Sequence, residues 1–529
     1  MTDICLIFEV HQPLRLNRNF HADLLSRPHI TKKDLFELYF DNNLNRYVLE
    51  RAAKKCYFPA NEILLEQIDR FRGEKRKFKV AFGISGVFIE QCERWLPSLL
   101  DSFRELFETG CVEFLDEPYY HSLASLYGID RLEFVEQVLM HKQLMRSLFN
   151  YEPKVFENTE CLYNNAIAKT VEGLGYKAIL TEGVDRILKW RSPNYVYKAK
   201  NCNLKVLLRN YRLSDDIGFR FSSRWWDQWP LFADKYASWL AKTPGQVIVI
   251  FMDYETFGEH HWPESGIHEF LRHLPEEVLK WRHLNWCTPS EVVDKHVPVG
   301  EIDVFEYNTI SWADLERDTS AWIGNSMQRS CYEMLKHLEP LVKGLEDPAY
   351  IRLWRHLQQS DHLYYMSTKG AGPGDVHAYF NPYNSAVEAF VVFSRILSDF
   401  EARILQEFRR PELAAKWLLR RLPVGKGFTF FVEFARPTSW TVYSLEEFLK
   451  ALKHVDLKSI KFHLKRGDFE RWLRHVIGDD KLADKFVVLS KKRFKDKELR
   501  HILVSIVEAR LNELKKAASS PKLSESTIQ

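Results

Sequence analysis

The sequence predicts an α/β protein: a seven-stranded (β/α) barrel followed by a helical bundle and a small C-terminal accessory domain. Three observations predict it. Short, almost wholly apolar runs alternate with longer amphipathic stretches as far as about Asp303. From there the texture changes to long helical patterns separated by Pro and Gly. After about Arg410 an alternating run, "GFTFFVEFA", opens a third region rich in basic residues. Strands that are apolar on both faces belong to a buried parallel sheet. Seven strand–helix units suit a closed or nearly closed barrel better than an open sheet.

The seven runs are Ile4–Val10, Phe78–Phe82, Val112–Leu115, Lys154–Phe156, Lys177–Leu180, Leu204–Leu208 and Val247–Met252. Stretches between them, such as "VFIEQCERWLPSLLDSFRELFETG" and "RLEFVEQVLMHKQLMRSLF", carry apolar residues at helical spacing, and Gly110 closes the first as a C-cap does. The bundle is read from "SAWIGNSMQRSCYEMLKHLEPLVKGL", "PAYIRLWRHLQQSDHLYYMST" and "SAVEAFVVFSRILSDFEARILQEF". The expected boundaries are 1–302 for the barrel, 303–410 for the bundle, 411–515 for an α+β or helical accessory domain without an assigned role, and 516–529 for a disordered tail.

A chain of 529 residues is expected to hold two or three domains, and 45% hydrophobic residues allow a large core. Lys and Arg number 75 against 72 Asp and Glu, so no whole-protein field exists for nucleic acid. Eight cysteines without a C-x-x-C pair suit neither a zinc ribbon nor a disulfide framework. No apolar run approaches the roughly 18 residues that a membrane span requires. The start, "MTDICLIFEVHQP", lacks a basic leader region, so a cytoplasmic location is expected.

In a parallel barrel the site lies on the loops after the carboxyl ends of the strands. Past successive runs stand His11, then Asp116, Glu117, Tyr119 and His121, then Glu157, Glu160 and Tyr163. Glu182 follows, then Asp215 and Asp216, then Asp253 and Glu255. A metal hydrolase could recruit His11, His121, His260 and His261 with carboxylates, but H-E-x-x-H and other compact metal spacings are absent. The other chemistry needs two carboxyl groups flanking a sugar bond. One attacks the anomeric carbon; the other protonates the leaving oxygen and then activates water. Glu160 and Asp253 suit those roles. Trp225, Trp226, Trp229, Trp262, Tyr119 and Tyr120 are candidate stacking platforms, although "SSRWWDQWP" reads equally as a helix start anchored on the barrel.

The segments "HQP", "EFLDEPYYHSL", "VFENTECLYNN", "FMDYETFGEHHW" and "QQSDHLYYMSTKG" occur in the order of the five sequence blocks of glycoside hydrolase family 57, across roughly residues 1–400. The forms "NTE-x-x-YNN" and "MDYETFGEH" are most similar to its α-amylase branch. The resemblance implies a retaining enzyme acting on α-glucans, with an incomplete TIM-like barrel of seven strands followed by a helical bundle. It implies Glu160 as nucleophile and Asp253 as acid/base. His11 and His121 match cleft-lining positions, and Glu255 and Asp361 match supporting ones, Asp361 reaching in from the bundle. Glu117, Asp216 and Trp262 are expected to complete the substrate-binding set.

This mechanism requires no metal or cofactor. The expected partner is an α-glucan or malto-oligosaccharide, with neither nucleic acid nor membrane. A 4-α-glucanotransferase is the alternative within the family. A metal-dependent polysaccharide deacetylase and a non-catalytic glucan-binding protein are alternatives of other classes. Retention sets the two carboxyl groups roughly 5–6 Å apart. Asp253 must begin protonated, through burial or through the charges of Glu160 and Glu255.

Overall fold

Nine consecutive buried residues, Thr2–Val10, form the first strand, β1, of the computed structural model, which describes residues 1–26, 30–369, 381–492 and 494–519. The next strands are β2 (Val80–Ile84), β3 (Val112–Phe114), β4 (Val155–Glu157), β5 (Ala178–Glu182), β6 (Tyr197–Ala199), β7 (Lys205–Arg209), β8 (Val247–Asp253), β9 (Leu284–Trp286) and β10 (Glu301–Ile302). All seven expected runs are strands. Parallel ladders join β8 to β1, β1 to β2, β2 to β3, β4 to β5 and β5 to β7. Two narrow seams complete the ring: a bridge from Asp116 to Phe156 links β3 to β4, and the pair Arg209–Val249 links β7 to β8.

The strands unread in the sequence explain part of this shape. β6 lies antiparallel on the start of β7, and β9 pairs with Thr2–Ile4 at the start of β1, whose later residues Ile7–Val10 pair with β2. Each takes the amino-terminal part of one edge of a ring strand, and the ring's own pairing on that edge begins further along. Segments as short and half-polar as "YKA", "LNW" and "EI" carry too little pattern to be recognised.

Strand alternation sorts the core. Ile4, Leu6, Phe8 and Val10 pack outward with the helices. Cys5 and Ile7 join Ala81, Val155, Ala178, Leu180, Leu207, Val249 and Phe251 in a second apolar cluster, the barrel interior. Two residues further along their strands stand Glu9, Glu157, Glu182, Arg209 and Asp253. A charged layer thus caps the apolar interior. On β2 the same position is Gly83, where a Cβ would lie 2.7 Å from Glu157 Oε2 and 3.3 Å from Glu9 Oε2.

The amphipathic stretch after β2 is two helices, Gly86–Trp95 and Pro97–Glu108, because Pro97 has no N–H with which to continue the first. All eight cysteines are buried and free. No helix among the described residues is long and apolar enough to cross a membrane.

The chain divides into two compact units. One comprises Met1–Lys336 with Arg352–Leu397, and therefore contains the barrel and the short helix Ser360–Tyr364. The other comprises His337–Ile351 with the chain from Ser398 onward. In it an antiparallel hairpin, β11 (Phe428–Glu433) and β12 (Arg436–Val442), packs with helices around Phe428, Phe430, Phe448, Phe469 and Trp472. The helix Asp496–Ala518 continues through 516–518, so the first residues of the expected disordered tail are helical, their helix anchored by Leu511 and Leu514 in this core. Residues 520–529 of that tail lie outside the described residues.

Candidate active site

After β4 the chain makes a single turn, Thr159–Cys161, in which Glu160 (φ 58°, ψ 25°) and Cys161 (φ 55°) are left-handed. For residues with a Cβ this conformation costs roughly 1–2 kcal/mol each. The turn is held by Cys161 N–H to the Asn158 carbonyl at 2.8 Å, Trp312 N–H to the Glu160 carbonyl at 3.2 Å and Thr181 Oγ1 to the Cys161 carbonyl at 2.8 Å. Its result is a Glu160 carboxyl group with both oxygens occupied. Trp312 Nε1 donates to Oε2 at 2.7 Å and Ser360 Oγ donates to Oε1 at 2.9 Å. His121 Nε2 stands 3.8 Å from Oε1.

Asp253 ends β8 in register with Glu9 of β1, where the backbone leaves the sheet for the turn Tyr254–Thr256. Glu160 and Asp253 line one cavity of about 270 Å³, together with Asp215, His260, Trp312 and Arg317. Arg209, on the same wall, donates to Asp215 at 2.6 Å, to Glu182 at 2.9 Å and to the Phe251 carbonyl at 2.7 Å. Arg317 lies over the Tyr211 ring at 4.0 Å and within 3.7 Å of both Glu182 and Asp215. Arg209 and Arg317 are thus matched by Asp215 on the wall and Glu182 behind it, and these four charges cancel.

His11 bonds Ser85 Oγ through Nδ1 (2.7 Å) and Asp361 Oδ2 through Nε2 (3.0 Å), and its ring stacks on His121 at 4.0 Å. Burial, then the neighbouring His121, holds His11 below the ordinary imidazole range. Burial works to raise Asp361, but the His11 and His121 rings outweigh it and leave the carboxyl well below its usual range. His121 (φ 46°) directs Nδ1 at Glu117 Oε2 (3.1 Å) and Glu9 Oε1 (3.6 Å). Burial opposes its charge, yet the Glu117 bond and the charges of Glu9, Glu117 and Glu160 push it up to about 10. Burial, then Glu117, raises Glu9 to about 8, and burial, then Glu9, raises Glu157 well above the carboxylate range. By spacing, Glu9, Glu117 and His121 offer three ligand atoms within 4.8 Å of one another. A proton on Nδ1 already accounts for both carboxylate contacts, so we assign the group as a buried salt bridge.

The remaining expected residues fall in different places. Glu255 is buried behind Asp253, where Tyr57 OH and Gln12 Nε2 donate to Oε1; burial, then the Asp253 charge, raises it well above the carboxylate range. Glu117 is buried on His121 and is absent from the cavity wall. Asp216 accepts from Arg220 at 2.8 Å, and its neighbour Asp215 takes the place on the cavity wall. Trp262 is 59% exposed outside that wall, with Lys55 Nζ 5.4 Å from its ring centre. Tyr120 is core against His356, and Tyr119 donates to Glu90 at 2.9 Å, which ties both rings into packing. His261 bonds Ser222 and the carbonyls of Ile217 and Gly218, fixing its loop.

Several residues of the site escape the sequence reading. Ser360 adjoins Asp361 within "QQSDH" and could have been found there. Glu9 and Arg209 follow from continuing strand alternation past the apolar interior. Trp312 carries no local signal, being 152 residues from Glu160 and in a loop.

The sequence model of glycosyl hydrolase family 57 matches residues 5–305. A Methanocaldococcus jannaschii protein named "Putative alpha-amylase" is 49% identical over 414 residues, 77% of this chain and 85% of that protein. A Pyrococcus horikoshii α-amylase is 28% identical over 265 residues, 48% of this chain and 38% of that protein. Among solved structures, a Thermococcus kodakaraensis family 57 branching enzyme in complex with glucose has a TM-score of 0.54 at 15% identity, over 79% of this chain and 91% of that one. A Pyrococcus horikoshii branching enzyme gives 0.50 at 14% identity, over 76% and 94%. The structural likenesses bear on the fold alone. The family match and the 49% identical relative decide membership: the chain belongs to glycosyl hydrolase family 57.

Proposed function

We propose that this protein cleaves α-1,4-glucosidic bonds of α-glucans with retention, as an α-amylase-type hydrolase, with Glu160 as nucleophile and Asp253 as acid/base. One relationship supports the reading most: both carboxyl groups line the same cavity, from the turn after β4 and the end of β8. The charge-paired wall beside them suits a neutral sugar. The names of the relatives supply the substrate class.

Glu160 attacks the anomeric carbon while Asp253 gives its proton to the departing glycosidic oxygen. Once the sugar is esterified to Glu160, that carboxylate charge is gone. Asp253, now an anion, accepts a proton from the incoming water, whose oxygen displaces Glu160. Trp312 and Ser360 hold the carboxyl group in one orientation through both half-reactions.

The test uses maltoheptaose with Glu160→Gln and Asp253→Asn. Each variant should lose activity by at least about a thousandfold, on the scale seen for essential catalytic groups. Undiminished cleavage in either removes the assignment. Products shorter than the substrate mark hydrolysis, whereas longer ones mark a 4-α-glucanotransferase using the same residues.

A further inference from the structure

Glu9 and Glu117 are buried carboxyl residues unused by the reaction above, and neither lines the cavity. One oxygen of each, Oε1, has no hydrogen-bond partner among the described residues. What they share is His121. Its ring is clamped on three sides: His11 covers one face at 4.0 Å, Glu117 and Glu9 meet Nδ1, and Glu160 faces Nε2. The backbone is fixed as well, since His121 N–H donates to the Pro118 carbonyl at 2.9 Å and its carbonyl accepts from Ser360 N–H at 3.0 Å.

We propose that Glu117 and Glu9 are positioning residues for the nucleophile, acting through His121, whose Nε2–H they aim at Glu160. This rests on the assignment of Glu160 as nucleophile. With the Nδ1 proton hydrogen-bonded to Glu117, and Glu9 Oε1 3.6 Å from Nδ1, an Nε2–H toward Glu160 makes the ring a cation. The groups around it are Glu9 from β1, Glu117 from its own loop, Glu160 from the turn after β4, and His11. Behind these stand Glu157, hydrogen-bonded to Glu9, Asp253, whose charge acts on Glu9, and Asp361 on His11.

The cation matters most when the glycosyl-enzyme breaks down. The bond from Glu160 to the anomeric carbon breaks, its electron pair returns to the carboxylate, and the water oxygen bonds to that carbon while its proton passes to Asp253. A fixed imidazolium beside Oε1 stabilises the departing carboxylate without moving. Weakening it should slow the second half-reaction more than the first.

The experiment compares wild type, Glu117→Gln and Glu9→Gln on α-maltotriosyl fluoride across the neutral pH range, with Glu160→Gln as control. In Glu117→Gln, kcat should fall by about ten- to a hundredfold, the scale of one lost charge-assisted bond. KM should fall with it, because glycosyl-enzyme accumulates and an initial burst of fluoride appears. The basic limb of kcat should move down by about 1–3 pH units as His121 loses its carboxylate partner. Glu9→Gln should shift the limb in the same direction by less, and Glu117→Asp should restore part of the wild-type profile even if Glu117→Gln folds poorly. A pH profile parallel to wild type, with no burst, overturns the proposal while an inert Glu160→Gln leaves the reaction intact. A divalent ion bound stoichiometrically by wild type and lost in Glu117→Gln also overturns it. Normal turnover by Glu160→Gln instead removes the assignment of the nucleophile itself.

Discussion

Trp312 Nε1 donates to Glu160 Oε2 at 2.7 Å, and the same indole lies nearly parallel to Phe251 of β8, 4.9 Å away and tilted 21°. One ring therefore couples the turn that carries the proposed nucleophile to the strand that carries the proposed acid. Arg209, 5.7 Å from the ring centre, sits over its other neighbourhood and is itself tethered to Glu182 and Asp215. The orientation of Glu160 is thus inherited from the barrel interior.

Trp312→Phe keeps the stack and removes the donor. We expect kcat on maltoheptaose to fall by about ten- to a hundredfold with little change in KM, since the lost bond touches the carboxylate. Ser360→Ala, which strips Oε1 of its hydroxyl donor, should behave alike. Wild-type rates in both variants would show that the carboxyl group is oriented by something else.

Gly83→Ala places a methyl group 2.7 Å from Glu157 Oε2 and 3.3 Å from Glu9 Oε2, within a buried layer. Overpacking of this kind costs about 1–3 kcal/mol. Tm of the barrel transition should fall, and Glu157→Ser in the Gly83→Ala background should recover part of the loss. A double variant no better than the single one would place the strain elsewhere.

Stability should decline on the alkaline side. His121 is raised from 6.5 to about 10, so the folded chain keeps a proton that the unfolded chain releases; its contribution is complete below about pH 6.5 and lost as pH rises to about 10. Glu9, raised from 4.5 to about 8, has the same sign: its contribution is complete below about pH 4.5 and is lost as pH rises to about 8. Calorimetry should show Tm falling through this range in wild type and falling less steeply between about 4.5 and 8 in Glu9→Gln. Asp361 works oppositely: its depressed value loses stability as pH drops below 3.8.

Prolonged dialysis against EDTA should leave glucan cleavage unchanged, because both proposed half-reactions run on carboxyl groups. Activity lost to the chelator and regained with zinc would favour a metal-dependent reaction such as deacetylation.

Trp262, exposed outside the cavity, should contribute to long substrates alone. Trp262→Ala is expected to raise KM for amylose by a factor of about 5 or more, the worth of roughly 1–3 kcal/mol that one stacked ring supplies, and to leave maltotriose kinetics unchanged. Equal effects on both would bring the ring into the reacting subsites.

From the sequence alone came the seven strands of the ring, the family and the two carboxyl groups proposed for the chemistry. Apolar runs as long as "VIVIFM" leave few alternatives to a strand buried on both faces, and motifs around Glu160 and Asp253 are contiguous enough to be recognised. Reading strand ends alone was too coarse for the layer beneath them. Glu9 sits inside one apolar run and Arg209 one residue past another, and both emerge only when the period of two is followed through each strand to its last inward position. Asp216 shows the opposite error: it is the outer member of an adjacent pair, and only the pitch of the helix Tyr211–Gly218 turns Asp215 toward the cavity. Trp312, Ser360 and the His11–His121 stack depend on residues tens to hundreds of positions apart meeting at one rim. Local pattern records which residues can be buried and which can react. Which of them face one another is set when ring closure fixes the distances between strand ends, and that is a property of the tertiary structure alone.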